Sequence, residues 1–243
     1  MPLSDQVLPL YQVIKQQISD AILLERWPAG TVLHNEIELA RSCGVAVGTV
    51  RRAMSDLTKE GLLIRRRKTG TIVTGRTPQQ SLRFFFQYFR LHGLDGGLQY
   101  STARVLKLEQ RLPVEVERTA LDIDADEPVI AIHRLRMIED APVMIDLIAM
   151  PATGLPDFPD DPAELPDHLY LHLLDRYGIR ISAIREQIHA NLANDEDASL
   201  LDLEGPATLL CIDEIAYDQA GAAMIHARHR CRTDKHRYVN EVQ

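Results

Sequence analysis

The chain has 243 residues, 45% of them hydrophobic and 26% charged, which is the make-up of an ordinary globular protein long enough for two cores. Its net charge of −8, taken whole, argues against a nucleic-acid partner, but the charge is unevenly spread. Residues 1–76 sum to +4 and residues 77–243 to −12, the asymmetry of a DNA-binding module joined to a domain with another task.

Three scattered cysteines (Cys43, Cys211, Cys231) and no C-x-x-C pattern exclude a disulfide framework and fit a reducing cytoplasm. The first residues lack a basic stretch followed by an apolar run, so no signal peptide is expected. No apolar stretch approaches the roughly 20 residues that span a bilayer.

Residues 9–25 carry Leu10, Ile14, Ile18 and Ile22 at helical spacing. Trp27-Pro28-Ala29-Gly30 closes that helix with a turn, under which Trp27 is expected to pack. A short helix over 36–41 follows, with Ile37, Leu39 and Ala40 apolar, and Ser42-Cys43-Gly44-Val45 is a tight connection. In the next helix Val50, Ala53, Met54 and Leu57 form a buried stripe, and Gly61 stands where a helix ends in the left-handed region. Helix, short glycine turn, helix is the helix-turn-helix pattern. Leu62-Leu63-Ile64 and Thr71-Ile72-Val73 flank Arg65-Arg66-Arg67-Lys68-Thr69-Gly70, a hairpin with a cationic tip. Four consecutive cations are by themselves most often a solvated turn. After a cationic helix they suit a wing that reaches phosphates while the helix enters the major groove.

Pro9-Leu10-Tyr11-Gln12, the run Leu33-His34-Asn35-Glu36-Ile37-Glu38-Leu39-Ala40, Gly48-Thr49-Val50-Arg51-Arg52-Ala53, Glu60-Gly61-Leu62-Leu63 and Thr69-Gly70-Thr71 occur in order. Together they resemble the GntR family of bacterial transcription regulators over residues 9 to about 75. The resemblance implies a winged helix-turn-helix that binds DNA through Asn35, Ala46, Gly48, Thr49, Arg51, Arg52, Arg67, Lys68, Thr69 and Gly70. Many members carry arginine where this chain has Ile37 and Val47, a departure that bears on which operator is read.

Residues 75–81 are polar, contain Gly and Pro, and separate the two charge regimes as a linker. Phe84, Phe85, Phe86 and Phe89, four of the five phenylalanines, come next and suit a domain or subunit contact. Beyond them strands are expected over 100–112, 128–137, 143–150, 179–192, 207–217 and 224–232, with helices over 114–121, 167–177 and 195–203. Hairpin-linked strands with helices between them predict a mainly antiparallel sheet covered on one face.

This half is similar to the UTRA effector domain of the HutC subfamily, on the evidence of Pro128-Val129-Ile130-Ala131-Ile132-His133-Arg134-Leu135-Arg136, Pro142-Val143, Leu169-Tyr170, Tyr177-Gly178-Ile179 and Asp218 with Gly221. The similarity implies a chorismate-lyase-like fold that senses a small molecule. On a strand Arg134 and Arg136 point the same way, alongside Ile130, Ile132 and Ile138, and two guanidiniums on an apolar face need an anion or carboxylates. Internal pairing with Asp146 or Glu186 is one answer. A pocket of Arg134, Arg136, Asp146 and Glu186 for an effector bearing carboxylate or phosphate is the other. In UTRA relatives that bind phosphosugars the matching arginines help hold the ligand, whereas an acidic residue common after the last turn is Ile225 here. His168 with His172, and His226 with His229, are pairs without further ligands at motif spacing, so no metal or cofactor is expected.

The sequence therefore predicts an α+β chain: a winged helix-turn-helix at 1–75, a linker at 76–82 and a chorismate-lyase-like effector and dimerisation domain at 83–243. It is expected to be a cytoplasmic homodimeric repressor of a palindromic operator, released by a small anionic metabolite, and not an enzyme. The rival expectations are an enzyme acting on a small acid and a DNA-binding protein that has lost its effector.

Overall fold

The structure, a computed structural model, describes residues 9–67, 69–74, 91–94 and 101–239. The linker, the phenylalanine cluster and Lys68 lie outside the described residues. The chain divides into two units, Met1–Phe84 and Phe85–Gln243.

In the first unit α1 (Leu10–Leu23), α2 (Glu36–Cys43) and α3 (Val47–Lys59) precede β1 (Leu63–Arg66) and β2 (Gly70–Val73). The expected stripes meet in one core: Ile14, Ile18 and Ile22 of α1, Leu39 and Ala40 of α2, and Val50, Ala53, Met54 and Leu57 of α3. Leu10 and Ile37 are exposed instead, because each lies in the first turn of its helix, beyond the reach of that core. Trp27 packs against the core as expected. Asn35 caps α2 by accepting from the backbone N–H groups of Ile37 and Glu38 at 3.1 and 2.9 Å, and Gly44 ends it at φ 65°. The β1–β2 hairpin gains a third strand-like edge, since Val32 bridges Ile72 and Leu33 N–H donates to Thr71 O at 2.9 Å. The wing is thereby tied to the loop before α2.

The second unit is built on a six-stranded antiparallel sheet of order β4-β5-β6-β9-β8-β7. Its strands are β4 (Thr102–Arg111), β5 (Val129–Ile138), β6 (Ala141–Pro151), β7 (Ile181–Leu192), β8 (Thr208–Asp218) and β9 (Ala223–Cys231). A separate ribbon pairs β3 (Leu91–Gly93) with β10 (His236–Tyr238). The expected strands are all present, but the one-face covering is not. α4 (Glu115–Leu121) and α6 (Asp195–Leu200) pack near Val129, Leu135, Ile145 and Ala149 on one face. α5 (Leu169–Tyr177) and the β3–β10 ribbon lie over the other, where Leu91, Met144, Ile212 and Cys231 cluster. The central strands are apolar on both sides, as β6 shows with nine of its eleven residues buried, and such a strand requires cover on both faces. No helix among the described residues is long and apolar enough to cross a membrane.

Candidate nucleic-acid interface and effector site

In the first unit the residues expected to meet DNA gather around the start of α3 and the hairpin tip. Ala46 and Gly48 are exposed and Thr49 half-buried in the first turn of α3. Nothing lies within 4 Å of where a Cβ would sit on Gly48, so a backbone partner has room to approach. Arg67, Thr69 and Gly70 are exposed at the tip, and Gly70 holds φ 99° so that the hairpin can turn. Asn35 has its side-chain oxygen committed to the α2 cap.

The two arginines of α3 are not equivalent. The Arg52 guanidinium lies 3.7 Å from the centroid of the Tyr11 ring, a cation–π contact that turns it back onto α1. Arg51 donates from Nε to Glu36 Oε2 at 2.7 Å, and the other carboxylate oxygen of Glu36 accepts from Arg65 Nη2 at 2.6 Å. Glu36, Arg65 and Tyr11 were not among the expected site residues. The cue was the acidic first turn of α2 beside a cationic helix and hairpin, but their meeting requires the tertiary fold.

In the second unit Arg134 and Arg136 stand on β5 as expected, and β5 is in register with β6 so that Arg134 faces Asp146. Arg134 Nε donates to Asp146 Oδ2 at 2.9 Å, and Arg136 Nε makes an ion pair with the same oxygen at 3.3 Å. Arg136 Nη1 also donates to Asp167 O at 2.9 Å, which ties it to the approach to α5. The remaining oxygen of Asp146 meets His229 Nδ1 at 2.7 Å, because β9 lies next to β6. His229 Nε2 reaches to 3.9 Å from Glu214 Oε2 on β8, and Tyr170 of α5 donates its hydroxyl to Glu214 Oε1. A buried polar line thus crosses four strands. Arg134 is 3% exposed and its Nη1 is buried without a hydrogen-bond partner among the described residues.

Glu186 does not join the two arginines. It lies on β7, four strand spacings from β5, or about 19 Å in a flat sheet, and accepts from Tyr238 at 2.6 Å. The internal pairing expected as one answer is therefore made by Asp146 and not by Glu186, and one carboxylate serves two guanidiniums. His229, Glu214 and Tyr170 were missed by sequence reasoning. His226 and His229, at i and i+3 on a strand, point to opposite faces, so they do not form a metal pair; no cluster of three or more metal-ligating residues occurs among the described residues.

The electrostatics follow from that arrangement. Burial opposes ionisation of Asp146, but His229, Arg134 and Arg136 outweigh it and hold the carboxyl well below the usual carboxylate range. Burial pulls the His229 imidazole down, yet Asp146 and then Glu214 overcome it and raise its pKa. Arg136 is lowered to about 10 by burial and by Arg134 beside it. The site thus concentrates positive charge that its own carboxylates oppose only in part.

Comparison with known proteins agrees with both halves. Residues 10–73 match the model of the bacterial regulatory proteins of the gntR family, and residues 97–237 match the UTRA domain. The HTH-type transcriptional repressor NagR of Bacillus subtilis (strain 168) is 26% identical over 96% of this chain and 94% of its own. The HTH-type transcriptional regulator GmuR of the same strain is 25% identical over 93% and 94%. The solved structure of YydK from Bacillus subtilis aligns with a TM-score of 0.59 at 18% identity, over 97% of this chain and 100% of that one. That of PhnF from Mycobacterium smegmatis gives 0.54 at 21% identity, over 95% and 99%. These families and relatives are transcriptional regulators rather than enzymes. A winged helix followed by a UTRA domain over most of its length places the chain in the GntR family of bacterial transcription regulators, in its UTRA-bearing HutC subfamily.

Proposed function

We propose that this regulator is a cytoplasmic homodimeric repressor of a palindromic operator, and that a small anionic metabolite bound at Arg134 and Arg136 releases it from DNA. The observation that carries the effector reading is the buried Arg134 Nη1, which has no partner among the described residues while its neighbour Asp146 is shared with Arg136 and His229. A buried guanidinium N–H without an acceptor is costly, and a carboxylate or phosphate oxygen supplies one with a charge-assisted bond. Asp146 belongs to this site as the group that orients both arginines. Glu186, on β7, serves only a ligand long enough to reach the far edge of the sheet.

A repressor role is supported by the name of the relative NagR. A dimer places two recognition helices about 34 Å apart, one turn of DNA. The sheet leaves β7 as an edge strand of 12 residues that pairs only with β8 among the described residues, with Leu192 72% exposed, and such an edge is available to a second copy.

The test begins with the duplex that the protein selects from a randomised pool. Phosphorylated and carboxylated metabolites are then titrated against the complex, with anisotropy as the readout and uncharged analogues as controls. Release by an anionic member and not by its uncharged analogue is expected. Binding that no member of the panel alters would favour a regulator without an effector.

A further inference from the structure

Glu36 is an acid between two cationic elements, α3 and the wing. It opens α2, its side chain is 22% exposed, and each of its oxygens takes one guanidinium: Oε2 from Arg51 on α3 and Oε1 from Arg65 on β1. Three elements thus converge on a single carboxylate. Arg51 and Arg65 are themselves 64% and 52% exposed, so the outer parts of both side chains face solvent.

The atom by which Arg51 is held matters. Its Nε is bound, and Nη1 and Nη2 make no hydrogen bond among the described residues. Those two terminal nitrogens form the fork that reads O6 and N7 of guanine. Arg52 next to it is turned onto Tyr11, so the fork at this turn of α3 belongs to Arg51. A free arginine side chain samples many rotamers and loses that freedom on binding, while a tethered one has already lost it.

We infer that Glu36 is a specificity-determining positioning residue, which aims the Arg51 fork at a guanine and fixes the wing arginine Arg65 relative to α3. This rests on the DNA-binding role of the family. The acid has a second effect: it removes one positive charge from the interface and so weakens binding to any duplex regardless of sequence. Glu36 exchanges sequence-blind affinity for discrimination.

The experiment uses the full-length protein and the duplex that it selects from a randomised pool, beside a scrambled duplex of equal length. In Glu36→Gln the ratio of the two affinities should fall about tenfold or more. Affinity for the scrambled duplex should rise and its salt dependence steepen. The melting temperature should barely change, because an exposed ion pair contributes little to stability. Glu36→Gln combined with Arg51→Ala should discriminate no worse than Arg51→Ala alone, whereas Arg65→Ala should keep the ratio largely intact. A merely structural bridge predicts instead that both affinities fall together with the melting temperature, with their ratio kept. Either that pattern or an unchanged ratio in Glu36→Gln overturns the inference. A wild-type protein that selects no sequence overturns the DNA-binding reading beneath it.

Discussion

Arg134 and Asp146 face each other across the β5–β6 ladder, joined by a 2.9 Å hydrogen bond, and neither side chain is more than 4% exposed. Asp146 is at once the carboxylate that both arginines share and the anchor of His229. The two arginines and His229 therefore depend on one carboxylate far more than it depends on any one of them.

That asymmetry orders a mutational series. Asp146→Ala takes the shared carboxylate from two buried guanidiniums and from His229 and should cost about 3–5 kcal/mol of stability. Arg134→Ala should cost less, because Asp146 keeps Arg136 and His229 and the repulsion between the arginines disappears. Effector affinity in Arg134→Ala should fall at least about tenfold through the loss of a charge-assisted bond, with DNA affinity unchanged, giving a repressor that is not induced. Thermal unfolding without ligand beside effector titration on DNA checks both. Arg134→Ala melting as low as Asp146→Ala, with its effector response intact, would remove Arg134 from the binding site.

The Asp146–His229 pair predicts a pH dependence with a definite sign. The His229 pKa is raised on folding, so its contribution is complete below the unfolded value near 6.5 and fades as pH rises through the folded value. The Asp146 pKa is depressed, so its contribution is complete above the unfolded value near 3.9 and fades as pH falls. The gap in melting temperature between wild type and His229→Gln should be widest between about pH 4 and 6.5, and should narrow towards pH 9. A gap that stays constant across this range would show that His229 does not gain its proton from the fold.

Two residues at the helix starts separate stability from recognition. Asn35→Ala removes the α2 cap and should cost about 1 kcal/mol. Gly48→Ala meets open space and replaces a poor helix former inside α3, so it should raise stability by roughly 0.5–1 kcal/mol. If DNA approaches the backbone here, the same methyl group should weaken binding. Melting curves and DNA titrations of Gly48→Ala should therefore move in opposite directions, and movement in the same direction would place Gly48 away from the duplex.

The wing supplies a further test. Replacing Arg67 and Lys68 with alanine should weaken binding to all duplexes and flatten the salt slope by about 0.9 for each phosphate that is no longer neutralised. An unchanged slope would take the tip out of the interface.

Helices and hairpins were legible in the sequence because their signals are local: the Val50-Ala53-Met54-Leu57 stripe, the positive-φ glycines Gly44 and Gly178, and the turn around Gly221. The Arg134–Asp146 pair was legible too, since a short hairpin fixes its own register. The order of the other strands was not. No local pattern announces that β9 inserts between β6 and β8, and that insertion is what brings His229 to Asp146. The cover on both faces was legible as well, in the near-continuous apolar run of β6, a signal that the one-face expectation left unused. Arg52 carried the same charge as Arg51 in the sequence, and only the placement of Tyr11 on α1 distinguishes their tasks.

The insertion of β9 also has a consequence for synthesis. Asp146 and His229 are 83 residues apart in the chain, whereas the winged helix is complete by residue 74. Chains emerge from the ribosome amino end first, and domains fold largely as units. The winged helix can thus be folded while β6 still lacks its neighbour, and the six-stranded sheet closes only after the strand bearing His229 has been translated. On the function proposed above, the unit that meets DNA is complete before the effector site and the dimer edge exist.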